Sequence, residues 1–204
     1  GNLDINSDIL STTGHITLKA ATDILVGDAN ASGVDIKTGT TGTISLDAET
    51  TGAVTMAADA KITATGSKLR VNAASDITVG QVIADTVSLV ADGGSIINAD
   101  TAGSITNISA TNLRIQADDA IGTGSRHITT AVNILTAKST GTDAQGIYIT
   151  ENDTITVANA GVLVKEFSET AIIAPVSDSV QSDLFAGNNG NIVLIAGNTI
   201  TLND

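Results

Sequence analysis

The strongest constraint on the fold is an internal repeat in which apolar residues alternate with polar ones and an alanine follows. Two copies match closely over twelve residues, since residues 16–27 read ITLKAATDILVG and residues 69–80 read LRVNAASDITVG. Further copies of the apolar-x-apolar-x-Ala unit begin at Ile44, Val54, Val87, Leu113 and Ile192. Repetition at a short period is typical of folds in which each unit buries its apolar face by stacking on the next.

Alternation with a period of two predicts short β-strands, because successive side chains of a strand point to opposite sides. The Ala is small enough for a corner where two sheets converge, and Asp, Gly, Asn, Ser and Thr then turn the chain. Predicted strands start near residues 16, 24, 34, 44, 54, 62, 69, 77, 87, 96, 105 and 113. Two or three strands make one turn of a solenoid, so we expect coils of about 18 to 28 residues.

The composition indicates a thin core of aliphatic side chains. Aromatic residues make up only 1% of the 204 residues, namely Phe167, Phe185 and Tyr148. Since Phe and Trp normally supply much of the buried area, the core must come from Ile, Val, Leu, Ala and the methyl groups of Thr. A sandwich of immunoglobulin-like domains is the alternative fold, but its core usually carries a Trp or Tyr and its strands are longer.

We therefore predict an all-β fold, a right-handed parallel β-helix with strands of three to five residues. It would have about ten coils at the spacing of neighbouring strands. Helix is expected to be almost absent before Ile121. The residues expected to point inward are Ile16, Leu18, Ile24, Leu69, Val71, Ile77, Leu113 and Ile115.

The repeat divides one continuous rod into four stretches. Residues 1–121 are predicted to form regular solenoid coils and residues 122–164 less regular ones. Residues 165–190 break the pattern, so we predict a loop or irregular coil there, and the solenoid resumes over 191–204. Loops that project from a scaffold often carry specific binding. The alternative is a tolerated insertion whose Phe167 and Phe185 cover an exposed edge of the core.

The charge excludes several classes of partner. Nine Lys and Arg face 22 Asp and Glu, giving a formal net charge of −13. Such a surface repels phosphate backbones and anionic lipid headgroups, so we expect no nucleic-acid partner. No apolar run approaches the roughly 20 residues of a membrane-spanning helix, so we expect no membrane insertion. The absence of Cys excludes disulfides and thiolate metal sites.

Paired aspartates offer the strongest hint of catalysis. Asp118 and Asp119 follow a predicted strand, and two carboxylates flank the scissile bond in many glycoside hydrolases. Such a site also needs cationic or His side chains on the same face, and Arg114 and Arg126 are the nearby candidates. We interpret the pair as a solvated turn and expect no catalytic residue.

The remaining polar motifs also have plain structural interpretations. His15 and His127 lie in no Ser-His-Asp order, so we expect both at the surface and no cofactor. The turns Glu151-Asn152-Asp153 and Asp92-Gly93-Gly94 offer oxygen ligands for Ca²⁺, but no EF-hand loop is present and we predict no metal site. Two alternatives stay open for three asparagines: they form an internal ladder, or they lie in exposed turns. These are Asn72, Asn98 and Asn107.

Several units resemble the repeats of filamentous-haemagglutinin-type adhesins and the longer arrays of giant bacterial surface proteins. They read GHITLKAATDI, LRVNAASDI and GNIVLIAGNTITL. Residues 120–157 are similar to a recurring module of those giant proteins, and the resemblance covers most of the chain apart from about 165–190. It implies an exported rod, often secreted through an outer-membrane pore, that works as a stalk or adhesive surface. The shared motif is structural, so it implies no binding residues.

The expected function is that of a structural or adhesive stalk segment in a large secreted bacterial cell-surface repeat protein, not an enzyme. Its expected partners are neighbouring coils of the same or an identical chain, together with a host or cell-surface glycan or protein receptor. Written head to tail, ITLND followed by GNLDI preserves the repeat, so we expect an internal slice of a longer chain or end-to-end stacking. The alternatives are a self-assembling extracellular filament or sheath and, more distantly, a polysaccharide lyase or hydrolase.

Overall fold

The computed structural model describes residues 1–27, 33–141 and 145–203, and 59% of these residues are strand. The described residues form no helix, so the prediction of an all-β fold is confirmed. Within these ranges no segment is a helix long and apolar enough to cross a membrane. The strands are β1 (Leu3–Ile5), β2 (Ile9–Leu10), β3 (Ile16–Ala20), β4 (Ile24–Val26), β5 (Asp35–Thr38), β6 (Ile44–Ala48), β7 (Val54–Met56), β8 (Lys61–Ala73), β9 (Ile77–Val79), β10 (Gln81–Ala91), β11 (Ile96–Asn98), β12 (Ile108–Ala117), β13 (Ile128–Ser139), β14 (Ile147–Glu151), β15 (Ile155–Val157), β16 (Ala160–Phe167), β17 (Ile173–Gln181), β18 (Leu184–Ala186), β19 (Ile192–Ala196) and β20 (Ile200–Leu202).

Apart from β16 and β17, the strands form rows in which each pairs in parallel with its counterpart one repeat further along the chain, and three such rows run through the first repeats. The first row is a five-stranded sheet in the order β1-β4-β7-β9-β11. The second row runs through β2, β5 and the first parts of β8, β10, β12 and β13. The third row runs through β3, β6 and the second parts of the same long strands. This topology is consistent with a β-solenoid.

The repeats are fewer and less even than expected. Equivalent residues at the start of successive repeats are Leu3, Ile24, Val54, Ile77, Ile96, Ile121, Ile147 and Ile192. This series falls short of about ten coils at the strand spacing. The expected length of about 18 to 28 residues is exceeded from Ile24 to Val54 and from Ile147 to Ile192, where longer connections are inserted.

Four strands are much longer than the predicted three to five residues. β8 has 13 residues, β10 has 11, β12 has 10 and β13 has 12. Each continues from the second row into the third without a break, and the β8–β10 pairing absorbs the corner by a register shift between Ala84 and Thr86. The length prediction was wrong here because the chain turns the corner within a continuous strand: β8 does so at Gly66, whose φ is +66°, and β10, β12 and β13 do so without a glycine.

The core is built as predicted from small and aliphatic side chains. Of the eight residues expected to point inward, seven are buried and Leu18 is partly buried against the same cluster. The alanine that ends each third-row unit forms a buried column in register, namely Ala20, Ala48, Ala73, Ala91 and Ala117. A small side chain is needed there because the rows converge at this corner.

Turns of successive repeats also pack closely, and Gly80 shows how tightly. A Cβ atom at Gly80 would collide with the carbonyl oxygen of Ala57 and lie 2.9 Å from that of Ala60. We expect Gly80→Ala to lower the free energy of unfolding by about 2 kcal/mol, because a backbone carbonyl cannot move aside as a side chain can. Gly124→Ala is the control, since its Cβ would meet only Tyr148 Cε1 at 3.7 Å. Urea denaturation of both variants checks this, and equal stability would contradict it.

Residues 165–190, predicted to be a loop or irregular coil, overlap an insertion that contains a regular hairpin, and they also include β18. Val157 pairs with Leu135, and Leu184 pairs with Ala137. In the preceding repeat Thr136 alone joins these two positions, whereas residues 158–183 lie between them here. Within the insertion β16 and β17 pair antiparallel; we call residues 160–181 the hairpin. The repeat pattern resumes at β18, earlier than the predicted residue 191, and continues through β19 and β20.

Candidate functional site

The hairpin covers a column of outward-facing polar residues on the third row. These residues occupy the second position of each five-residue unit and are in register from strand to strand: Thr17, Ser45, Arg70, Ser88, Arg114 and Thr136. We call them the outer column. An outward position on a strand is normally solvated, yet Ser45, Ser88 and Thr136 are 0% exposed. Their burial shows that the hairpin packs along the third row of strands rather than projecting from it.

Alternation along β16 explains which side of the hairpin faces the column. Ala160, Val162, Val164 and Glu166 are buried, whereas Leu163 and Lys165 between them are exposed. Because side chains of a strand alternate, the buried set forms one face and packs on the rod. The buried face of β16 therefore brings one carboxylate, that of Glu166, among small apolar side chains.

Glu166 and Asp178 meet the cations of the rod in a buried ionic cluster. Glu166 Oε1 accepts a hydrogen bond of 2.6 Å from Ser45 Oγ and lies 3.6 Å from Arg70 Nη1. Glu166 Oε2 lies 3.3 Å from Lys19 Nζ. Arg70 Nε donates to Asp178 Oδ1 at 3.0 Å, so Arg70 bridges the two strands of the hairpin. Charge-assisted bonds of this kind are stronger than neutral ones.

A second set of contacts holds the base of the hairpin. Arg114 Nε donates to the carbonyl oxygen of Ser179 at 3.0 Å, and Gln181 Nε2 donates to that of Ile115 at 3.2 Å. Burial under the hairpin lowers the pKa of Arg114, and Asp178 opposes this shift by attraction. Arg114 stays charged because a guanidinium does not lose its proton in proteins.

The interface is polar and incompletely paired. The buried atoms Arg70 Nη1, Asp178 Oδ2 and Gln181 Oε1 make no hydrogen bond with the part of the chain that the structure describes. Buried polar atoms without partners are unfavourable. Each such atom subtracts from the stability that the ionic and apolar contacts of the hairpin supply.

A cleft of about 900 Å³ lies at the tip of the hairpin, between β16, β17 and the first two repeats. Lys19 lies in it within 3.5 Å of Asp47, Glu49 and Glu166. Although burial opposes its charge, Glu166 and Asp47 raise the pKa of Lys19. The ring of Phe167 lies 6.1 Å from that of His15, with the two planes tilted by 44°. Phe167 thus contacts a rod histidine at the hairpin tip.

The structure separates the residues considered for catalysis. Arg114 is engaged beneath the hairpin, and Arg126 Nη1 donates to the carbonyl oxygen of Asn98 at 3.2 Å. The carbonyl oxygen of Asp119 accepts a hydrogen bond from Ser139 Oγ. The two guanidinium groups therefore bind carbonyls at different places instead of converging beside Asp118.

The turns considered for calcium serve internal hydrogen bonds. Glu151 is 1% exposed, and its Oε2 accepts from Thr130 Oγ1 at 2.7 Å and from the amide of Val132 at 3.0 Å. The amide of Asp92 donates to the carbonyl oxygen of Ala73 at 2.9 Å. In the ranges that the structure describes, no three His, Cys, Asp or Glu residues are grouped so as to hold a metal ion.

Asn98 and Asn107 form an internal pair rather than a ladder. Asn107 Nδ2 donates to Asn98 Oδ1 at 2.8 Å, and both residues are buried. Asn72 is different, because it lies on the outside and donates to Asp47 Oδ1 at 3.2 Å. An internal ladder needs the same position in successive repeats, and these three residues occupy different ones.

Asp100 organises the loop between β11 and β12. Its carboxylate accepts hydrogen bonds from the amides of Ala102 at 2.8 Å and Ile105 at 2.9 Å, and from Ser104. These bonds, Ala102 first, lower the pKa of Asp100 from 3.8 to about 2.

A lowered pKa in the folded state means that this contribution to stability is complete above pH 3.8 and is lost as the pH falls through about 2. We expect Asp100→Asn to remove this part of the acid sensitivity, as measured by urea midpoints between pH 2 and pH 5. Exposed Asp4→Asn is the control and should keep it. An unchanged pH profile in Asp100→Asn would contradict the assignment.

Sequence reasoning missed the outer column and its cover. A signal was present, since Arg70 and Arg114 occupy the same repeat position and β16 alternates apolar residues with Glu166. Neither clue shows that the two arginines and β16 contact each other. Comparisons with protein-family models, curated proteins and solved structures find no match to this chain.

Proposed function

We propose that this chain is a structural segment of a right-handed parallel β-helix that extends a secreted bacterial cell-surface repeat protein. The observation that carries the proposal is the constant register of the third row, in which the same unit pairs from Ile16 to Ser139 without interruption. Each added repeat lengthens such a rod by about 4.8 Å, the distance between neighbouring strands.

The hairpin suits this function as a brace. Phe167 bonds to Thr17 in the first repeat and Asp178 to Arg70 in the third. Just after the hairpin, the carbonyl oxygen of Asp183 accepts from Thr136 in the sixth repeat. Because it runs along the stack and crosses the strands, it resists bending and sliding between repeats. Parallel strand pairing alone resists these motions only through backbone hydrogen bonds.

The acidic surface and the resemblance to adhesin repeats support the adhesive and extracellular parts of the proposal. A net charge of −13 keeps long rods from clumping side by side. The proposed partners are neighbouring repeats of the same or an identical chain and a glycan or protein receptor on a cell. A self-assembling filament is the second candidate, favoured by the parallel pairing of like units within the chain, such as Ile16 with Ile44, which identical chains can repeat between them.

Particle shape and stiffness test the proposal. The purified chain should scatter X-rays as an elongated rod, and electron microscopy should show right-handed winding. Replacing residues 158–183 by a single Thr, as in the Leu135-Thr136-Ala137 connection, should leave the rod intact but more flexible. A compact particle, or stiffness unchanged by this deletion, would overturn it. Growth of the rod with protein concentration would instead favour the filament.

Location provides a separate check. Antibodies raised against the exposed outer face of the hairpin, which carries Leu163 and Lys165, should label intact producing cells. Protease added to those cells should remove the label. Protection of the epitope until the cells are lysed would overturn the cell-surface assignment.

A further inference from the structure

We propose that His15 is a pH-sensitive latch, which in its neutral form holds the hairpin tip on the first two repeats and on protonation releases it. The inference deepens the bracing role proposed above. It rests on that role only for its effect on the stiffness of the stacked repeats. The geometry that supports it lies in His15, Thr43, Lys165 and Phe167.

The hydrogen bond that Thr43 makes to His15 requires a neutral ring. The backbone N–H of Thr43 points at His15 Nδ1 over 2.9 Å. An amide can only donate, so Nδ1 must present its lone pair. Protonation would place two N–H groups face to face. Thr43 is 8% exposed, so its amide would then be buried without an acceptor, which is unfavourable.

Thr43 passes this change on to the hairpin. Its Oγ1 accepts from the amide of Lys165 at 3.0 Å and lies 3.2 Å from the carbonyl oxygen of Lys165. The same Oγ1 lies 3.0 Å from His15 Nδ1. The tip is also held by the amide of Phe167, which donates to Thr17 Oγ1 at 3.0 Å, and by the contacts of Glu166 with Ser45 and Lys19. A shift of Thr43 therefore acts directly on the end of β16.

The charged groups around His15 come from three elements. The hairpin contributes Lys165, Glu166 and the exposed Glu169, β3 contributes Lys19, and the turn after β6 contributes Glu49. Lys19 already engages Glu49 and Glu166. Burial, and secondly the charge of Lys165, lower the pKa of His15.

The direction of the pH effect follows from this. A lowered pKa means that the closed hairpin binds the proton less tightly than the open one. The latch is therefore complete above about pH 6.5, the ordinary value for His, and weakens as the pH falls through the lower value of the closed state. Opening rises tenfold for each pH unit that separates the two values.

His127 provides a matched control within the chain. Its Nδ1 also lies near a threonine, 2.8 Å from Thr150 Oγ1, and its ring lies 5.9 Å from that of Tyr148. The partner here is a hydroxyl, which can rotate to accept as well as donate, whereas His15 Nδ1 receives a backbone N–H in addition to its hydroxyl neighbour. Protonation of His127 therefore leaves this contact intact.

The experiment uses amide exchange of the ¹⁵N-labelled chain from pH 7.5 to 5.0, corrected for the exchange rates of unprotected amides. Protection of the Lys165 and Phe167 amides should fall as His15 titrates, while core amides such as that of Leu89 keep theirs. His15→Asn should remove the effect, because its side-chain carbonyl accepts from Thr43 but does not titrate. His127→Asn should retain it.

The proposal is overturned if the imidazole resonance of His15 titrates at or above pH 6.5, or if His15→Asn loses protection with pH like the unaltered chain. Should His15→Asn fail to fold, titration of His15 in the unaltered chain decides alone. A value below 6.5 with a parallel loss of protection at Lys165 supports the latch. Rod shape and cell-surface location are measured without a pH change, so a failure of the proposed function is distinguishable from a failure of the latch.

Discussion

Replacing Arg70 by Met is expected to lower the stability of the docked hairpin by about 3 to 5 kcal/mol, the cost of removing one partner from a buried ionic cluster. Met keeps the aliphatic stem but leaves Asp178 without its 3.0 Å bond and Glu166 without its neighbour at 3.6 Å. Urea denaturation, together with amide exchange in β16, measures whether the loss is global or confined to the hairpin.

Lys68→Met is the control for this prediction. Lys68 lies two residues earlier on the same strand and is exposed, so its removal should change the stability by less than about 0.5 kcal/mol. Adding Asp178→Leu to Arg70→Met should recover part of the loss, because it removes the stranded charge. If both Arg70→Met and Lys68→Met are nearly neutral, the hairpin is held mainly by its apolar face.

Replacing Asn107 by Ala is expected to cost about 3 kcal/mol, because buried groups in three repeats lose their hydrogen bonds. Asn107 Nδ2 donates to Gly80 O at 3.2 Å and to Asn98 Oδ1 at 2.8 Å, and its Oδ1 accepts from the amide of Thr129 at 2.9 Å. Asn107 itself is 0% exposed, so water cannot replace these bonds without opening the repeat. Thermal and urea unfolding both report the change.

Asn72→Ala is the control, because it removes an asparagine side chain that lies outside the core. Asn72 is partly exposed and makes its 3.2 Å bond with Asp47 on the outside of the third row. Water can substitute there, so we expect a loss below about 1 kcal/mol. Equal losses in the free energy of unfolding would show that the buried Asn98–Asn107 pair stabilises the fold no more than an exposed hydrogen bond does.

The regular part of the fold was predictable because its determinants are local and repeated. Alternation of Ile16 with Leu18 and of Leu69 with Val71 identifies a strand and its buried face within five residues. Parallel stacking then follows because equal units bury equal faces, and the pairing of Ile16 with Ile44 and of Ile44 with Leu69 confirms it. Small corner alanines were recognised for the same reason.

The candidate site was not predictable because its partners occur once and lie far apart in sequence. Ser45 and Glu166 are 121 residues apart, and Arg70 and Asp178 are 108 apart. A single hairpin has no second copy to compare with, and its mixture of polar and small residues also suits a loop. Arg70 and Arg114 look like solvated outward positions until the cover that buries them is known.

The sequence by itself determined the strand period, the aliphatic core and the corner residues, since each depends on side chains a few positions apart. Only the tertiary structure decided which outward face is covered, because the hairpin of residues 160–181 reaches back over repeats that the chain formed earlier. It also decided the roles of the two histidines. His15 Nδ1 accepts from a backbone amide besides lying near a hydroxyl, whereas the contact of His127 Nδ1 is with a hydroxyl, and this difference arises from the register of strands 23 to 28 residues apart.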